Sequence, residues 1–503
     1  MQTLRHLPRS IPAASCTSWA RGASLAGSVT LLIAISLPGC LVGPDYVRPE
    51  QPLPNEQPIP DAWHQATVED FQQTESPVRV WWQTFDDDKL VELIARAEQA
   101  NLDLQQAVAR IMEARALVGV ATGEQYPQVE ATADYTLGAA SDAILPDAET
   151  VGVLAGGFAM NWEIDVFGGI RRNIESAQAG FEASVEDYRD VMVSLFAEVA
   201  ASYVDVRAFQ LRIEYASQNI ELQRESLQLT RDRFNAGLTS ALDVAQAESN
   251  LASTEATIPQ LEAALEFALN RLAILLATPP GTLHEELGQA AEVPVPPDTI
   301  AVGLPAELLR QRADIRSAER ALAAQTAQIG VATSELYPKF SLAGLLTFDV
   351  AGPGDGSGVS WSIIPGMRWN IFNAGRVRSQ IRVEEARTER LFLAYEQTVL
   401  VALEEVENSL VAYKKEEARQ LKLREAVDAS QRAVELVRTQ YLAGLTNFQN
   451  VLDSQRTLFQ LEDQLAESEG LLSQNLVFVY RSLGGGWAPI SGDVEDEEVG
   501  PQQ

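Results

Sequence analysis

The chain is written twice. Residues 119–127 read GVATGEQYP and residues 330–338 read GVATSELYP, a separation of 211 positions. Trp162, Ile164, Gly168 and Arg171 are matched 207 positions later by Trp369, Ile371, Gly375 and Arg378. The same shift carries Ala236-Gly237-Leu238-Thr239 onto Ala443-Gly444-Leu445-Thr446. Three ordered matches at nearly constant spacing are hard to obtain by chance, so the chain is expected to build two similar units. The change from 211 to 207 fits a shorter hairpin loop in the second copy. Pro294, Pro296, Pro297 and Pro305 lie between the copies and read as a linker.

Each copy reads as helix, two strands, long helix, turn, helix. In the first copy a helix follows Trp81-Trp82-Gln83-Thr84-Phe85. Leu90, Leu93, Ile94, Ala97, Leu104, Ala107, Val108 and Ile111 keep helical spacing, with an interruption near Asn101.

The strands alternate. Val129, Ala131, Ala133, Tyr135 and Leu137 share one face, and Gln128, Glu130, Thr132, Asp134 and Thr136 the other. Phe158, Met160, Trp162, Ile164 and Val166 alternate with Ala159, Asn161, Glu163 and Asp165. In the second copy Trp361, Ile363, Met367, Trp369 and Ile371 alternate with Ser360, Ser362, Arg368 and Asn370. The strand from Phe340 to Phe348 is less clean, since Ala343 and Leu345 fall on the polar side. A soluble sandwich gives the same alternation. Strand lengths near the ~9–11 residues of a tilted membrane strand favour a barrel. Four strands cannot close a barrel, and an open edge in lipid leaves backbone groups unpaired. If these strands span a membrane the chain must therefore oligomerise, and physics alone leaves dimer and trimer both open.

From Arg172 to Asn235 there is no proline, enough for a helix of roughly 95 Å. Val185, Tyr188, Met192, Leu195, Val199, Val206, Phe209, Ile213, Ala216 and Ile220 follow heptad spacing, with Ser202 at the missing position. A second proline-free run spans Arg376 to Tyr441. Both runs stop at glycine turns, where Gly237 and Gly444 can take the left-handed conformation and Thr239, Ser240, Thr446 or Asn447 can cap the next helix.

The N-terminus reads as an address. Arg5, Arg9 and Arg21 precede an uncharged apolar run from Leu25 to Leu37, too short for a confident membrane span and suited to a secretory signal. The run ends in Leu37-Pro38-Gly39-Cys40, which resembles a lipobox whose thiol takes lipid. Leu41 then favours outer-membrane delivery. Pro44, Pro49, Pro52, Pro54, Pro58 and Pro60 mark an extended tether. The only other cysteine is Cys16, so no disulfide framework is possible. His6, His64 and His284 are too scattered for a His/Cys metal site. A net charge of −32 argues against nucleic-acid binding, and no phosphate loop or nucleophile motif points to an enzyme. No cofactor is expected.

These motifs carry a resemblance. The Cys40 lipobox followed by Gly43-Pro44-Asp45-Tyr46, then Asp61-Ala62-Trp63, Trp81-Trp82 with Phe85, Asn101-Leu102-Asp103-Leu104 with Ala107, Arg312-Ala313-Asp314-Ile315 and the two Gly-Leu-Thr turns together resemble the TolC-like outer-membrane efflux channels, in their NodT-type lipoprotein subgroup. Ala313 stands where that family usually has proline. The resemblance implies a mainly α fold with transmembrane β. It implies a homotrimer whose 12-stranded barrel continues into a periplasmic α-helical barrel, working with a periplasmic adaptor and an inner-membrane RND-type pump to export small molecules such as drugs. It places a periplasmic gate at Asp243, Asn450 and Asp453. Asn450 occupies a site that is acidic in some relatives. Two carboxylates near helix starts are also ordinary capping residues. The exposed turns Gly237-Leu238-Thr239 and Gly444-Leu445-Thr446 suit contact with the adaptor.

The expected division is a signal peptide at 1–39 and a lipid-anchored extended segment at 40–80. Repeat 1 is expected at 81–286, with strands about 127–137 and 153–167, and the linker at 287–306. Repeat 2 is expected at 307–487, with strands about 338–349 and 359–372, before an acidic disordered tail at 488–503. Two other functions share parts of this reading: the outer-membrane channel of type I protein secretion, and a pore-free periplasmic helical scaffold.

Overall fold

A computed structural model describes residues 40–49, 53–54, 57–64, 71–73, 80–138, 151–297, 300–302, 305, 311–351 and 357–487. The signal-peptide and acidic-tail readings lie outside the described residues.

Trp81–Phe85 form a turn of 3-10 helix. Helix α1 (Asp88–Ala100) and α2 (Leu102–Gly123) follow, and Asn101 is the interruption between them. Its side-chain oxygen accepts from the Asp103 and Leu104 amides, capping α2, while its amide donates to the Leu275 carbonyl at 2.9 Å. The strands β2 (Gln128–Gly138) and β3 (Val151–Ile164) come next, β1 being the short Phe71–Gln73. Helix α3 (Gly169–Asn235) has 67 residues, about 100 Å at 1.5 Å per residue. Then come α4 (Ala241–Glu255), α5 (Ile258–Leu275), the short α6 (His284–Leu287) and β4 (Ile300–Val302). The second copy is α7 (Ala313–Ser334), β5 (Lys339–Ala351), β6 (Ser357–Arg368), α8 (Arg376–Leu442), again 67 residues, and α9 (Phe448–Ser482). Among the described residues no helix is long and apolar enough to cross a membrane.

The copies differ in one instructive place. The last helix of copy one breaks between α4 and α5, with Pro259 in the first turn of α5, whereas α9 runs through unbroken. Pro259 has no amide to give the preceding turn. Its counterpart 207 positions later is Ala466, fully buried inside α9.

Four strands form one antiparallel sheet in the order β2-β3-β5-β6. The register puts Val129 opposite Met160, Met160 opposite Gly344 and Gly344 opposite Ile363. Ala131, Phe158, Leu346 and Trp361 form the next row. Residues paired across a ladder share a face, so the apolar sets of all four strands merge into one surface. The opposite face carries Gln128, Asn161, Ala343 and Ile364 in one row, and Glu130, Ala159, Leu345 and Ser362 in another, so Leu345 does interrupt the polar side. No strand pairs with the outer edge of β2 or of β6 among the described residues.

Two expectations need correction. The strands end at Ile164 and Arg368, so Val166, Trp369 and Ile371 lie past the ladder. The chain must turn there to enter the long helices: Asp165 accepts from the Arg171 main-chain amide at 3.0 Å, and Gly168 and Gly375 take φ values of 79° and 82°. The heptad stripe on α3 is also not a single seam. Between Leu195 and Gln210 the helix is buried on almost every side, because residues of α1, α5 and α9 share one core with it. The largest core cluster sits there, joining Trp81, Trp82, Leu93, Phe196, Tyr203, Leu476 and Tyr480. The extended N-terminal segment and the linker also meet. Phe71–Gln73 pairs in parallel with Ile300–Val302.

Ala313 occupies the first residue of α7 after the cap Arg312. Proline is well suited to that position because its amide would have no helical partner.

Candidate functional site

The two long helices end in matching turns. The Leu238 amide donates to the Arg233 carbonyl at 2.8 Å, and the Leu445 amide to the Gln440 carbonyl at 2.9 Å. Gly237 and Gly444 have φ values of 72° and 74°, conformations that a side chain would strain. Leu238 and Leu445 project into solvent, 66% and 78% exposed.

Just past the first turn, Ser240 caps α4. Asp243 closes a capping box: its carboxylate accepts from the Ser240 amide at 3.2 Å and from the Thr239 hydroxyl, while its own amide donates to the Ser240 hydroxyl at 3.3 Å. The second turn is built differently. Asn447 caps α9 by accepting from the Asn450 amide at 3.2 Å, and the Asn450 side chain donates to the Thr446 hydroxyl at 2.6 Å. Asp453 lies one turn further on, exposed, and accepts from Gln449 at 2.9 Å. Of the two carboxylates, Asp453 is therefore the one not engaged in its helix cap.

Behind the turns, Leu227, Ala247, Tyr441, Phe448, Val451 and Leu452 form a small separate core. The Arg233 guanidinium lies 4.7 Å from the Tyr441 ring and donates to the Tyr441 carbonyl at 3.2 Å, bolting the end of α3 to the end of α8. The Tyr441 hydroxyl is buried without a hydrogen-bond partner among the described residues. Higher up, Arg456 on α9 donates to Asn250 on α4 at 2.6 Å. The turns thus ride on one fastened helical bundle.

The model of the outer membrane efflux protein family matches residues 93–278 and 304–485, one match to each copy. The chain belongs to the outer membrane efflux protein family. It is 31% identical over 467 residues to nodulation protein T of Rhizobium leguminosarum bv. trifolii, covering 92% of this chain and 98% of that one. It is 32% identical to the pyoverdine export outer membrane protein OpmQ of Pseudomonas aeruginosa, across 82% of this chain and 88% of the relative. The solved outer-membrane channel OprN superposes with a TM-score of 0.83 at 37% identity, over 90% of this chain and all of that one. This efflux protein is therefore an outer-membrane channel whose helical part lies in the periplasm, and the pore-free scaffold is set aside.

Within the efflux protein, Asp243 lies in the first turn of its helix and Asp453 one turn deeper, each on the helix that leads away from its tip. Sequence reasoning missed the Arg233–Tyr441 bolt. A trace of it was visible: Tyr441 stands 207 positions after Phe234, so an aromatic closes each long helix. Only Tyr441 is buried; Phe234 is 45% exposed. The lipid reading rests on Cys40, which is exposed.

Proposed function

We propose that three copies of this efflux protein close a 12-stranded barrel continuous with a helical duct, and that the assembly is the passive exit of a tripartite system exporting small molecules. One observation carries this reading: a four-stranded sheet with both edges unpaired among the described residues and an exposed apolar face, standing on two helices of equal length. In lipid the β2 edge of one subunit would pair with the β6 edge of the next, satisfying backbone groups that otherwise cost several kcal/mol each. An RND-type pump and a periplasmic adaptor would supply drive and connection, with Leu238, Thr239, Leu445 and Thr446 packing against the adaptor. Lipid on Cys40 would add a second hold on the membrane.

The internal repeat indicates which residues would meet between subunits. Inside the chain, Gln328 on α7 donates to Ser176 on α3 at 2.8 Å. Their repeat counterparts are Leu117 on α2 and Val383 on α8, both exposed in the single chain. In a trimer that continues the same packing, Leu117 of one subunit faces Val383 of the next. The double variant Leu117→Cys, Val383→Cys should then give disulfide-linked trimers on oxidation. Monomers only, after oxidation in membranes, would refute the arrangement.

At the tips, Asp453 and Asp243 from three subunits would form acidic rings around a narrow opening, with Asn450 as an uncharged ring beside them. Rings of like charge repel anions and attract divalent cations. The test is conductance of the purified protein in planar bilayers. The parent should prefer cations and be blocked by divalent ions from the tip side. Asp243→Ala with Asp453→Ala should lose both properties, and unchanged selectivity in that variant would reject the gate.

A further inference from the structure

The segment after Cys40 does not trail loosely from the body. Arg172, in the first turn of α3, is almost wholly buried and spends its guanidinium on this segment. Its Nε donates to the Val42 carbonyl at 3.1 Å, and its Nη2 to the Gly43 carbonyl at 3.3 Å and the Asp45 carboxylate at 2.6 Å. Nη1 is held by Glu175 at 2.7 Å. The Val42 amide donates to the Phe167 carbonyl at 3.3 Å, and Leu41 lies against Gly168 at the strand–helix corner.

Two glycines make the fit possible. Gly43 has φ near 89°, and a Cβ there would overlap the Gly330 main chain of α7. A Cβ on Gly330 would stand 2.7 Å from the Arg172 side chain. Below this point Tyr46 and Arg48 both reach Glu319, at 3.3 and 3.0 Å, and Arg320 lies 5.4 Å from the Tyr46 ring.

The repeat-related positions on α8 and α2 lack these groups. Ser379 stands at the position of Arg172, Arg382 at that of Glu175, Val108 at that of Glu319 and Ala109 at that of Arg320. Gly119 keeps the counterpart of Gly330, but nothing packs against it. A buried guanidinium with four acceptors, two of them main-chain carbonyls of one short segment, is costly to build unless that segment is what it holds.

We propose that Arg172 and Gly330 form a socket, present once per subunit, that docks residues 42–46 and so fixes where the lipid-bearing N-terminus leaves the body, at the foot of the β3 strand. This rests on the reading of Cys40 as the lipidated residue. The socket, not the lipid, holds the segment. An anchor fixed at this corner attaches at the level where the sheet ends, and only at the α3–α7 junction.

Hydrogen exchange on the mature protein in detergent, with the intact mass read in parallel, separates the two. The Cys40→Ala protein should keep the Val42 amide, which donates to Phe167, as protected as in the parent. Arg172→Ala, with its lipid still present by mass, should speed its exchange at least about tenfold while β3 and the middle of α3 stay unchanged. Gly43→Val, which alters neither helix, should do the same and serves if Arg172→Ala does not assemble. Protection lost in Cys40→Ala but kept in Arg172→Ala and Gly43→Val would overturn the proposal. A parent without acyl mass but with the Val42 amide protected would remove the lipid reading and leave the docking standing.

Discussion

Trp162 donates its indole N–H to the main-chain carbonyl of Gln125 over 2.8 Å. Trp369 repeats the bond with Leu336 at 2.9 Å. Trp162 within β3, and Trp369 just past the end of β6, each tie that end of the strand to the corner where the copy's first helix turns into its first strand. Trp162→Phe keeps most of the ring and loses the donor. The expected cost is about 1 kcal/mol, read as roughly fivefold faster exchange of the first β2 amides. Unchanged exchange would mean that the bond adds nothing to the corner.

Ser240 and Asp243 form a box, and Asp453 belongs to none. Ser240→Ala and Asp243→Ala should each loosen the first turn of α4, by about 1 kcal/mol for the cap residue. Asp453→Ala should leave α9 as ordered as before. Amide exchange at residues 241–244 and 448–452 reads both. Equal fraying in all three variants would contradict the different roles drawn for the two carboxylates.

Tyr441 buries a hydroxyl that has no hydrogen-bond partner among the described residues. Removing such a group while keeping the ring costs little. Tyr441→Phe should therefore match or exceed the parent in stability, whereas Tyr441→Ala should lose about 3 kcal/mol through the cavity left in the tip core. Denaturant titrations of the two variants give the comparison. A large loss in Tyr441→Phe would reveal a partner for the hydroxyl in the assembled channel.

Asp190 faces a cavity of about 210 Å³ lined also by Ser194, Arg312, Asp314, Glu405 and Arg481. Burial, and then Asp314, raise its carboxyl above the usual range, against the opposing pull of Arg312 and Arg481. The folded chain thus holds this proton more tightly than the unfolded chain. That contribution is present in full below the ordinary carboxylate value of about 3.9 and is lost as pH climbs through the raised one. Asp190→Asn cannot ionise. It should be more stable than the parent at pH 7 and nearly equal to it below about pH 4, in unfolding midpoints taken across that range. A less stable variant at pH 7 would show that the two arginines outweigh burial.

The duplication made most of this legible. The 207-residue shift places Gly168 on Gly375 and Gly237 on Gly444, and all four adopt positive φ at the ends of the two long helices. Strand alternation gave the faces that the register joins. What sequence could not supply was three-dimensional company. Heptad spacing on α3 showed one stripe, because periodicity reports the strongest face and not how many neighbours crowd a helix. The break at Ala256–Thr257 was hidden because Pro259 sits in the first turn of a new helix, where it leaves little trace in the apolar pattern. Arg172 looked like one more basic residue after a glycine. Its role depends on carbonyls from 130 positions earlier in the chain. At the tips, the residue types were readable, but the division of labour between Asp243 and Asp453 depends on hydroxyls whose direction only coordinates reveal.

The equal length of α3 and α8 limits how a protein of this kind can change. Seven residues added to one of them alone would push its hairpin roughly 10 Å beyond the other and leave a ragged rim that no partner could seal. Lengthening is tolerated only in matched pairs, so the two halves of the gene are yoked: an insertion in one has to wait for its twin in the other.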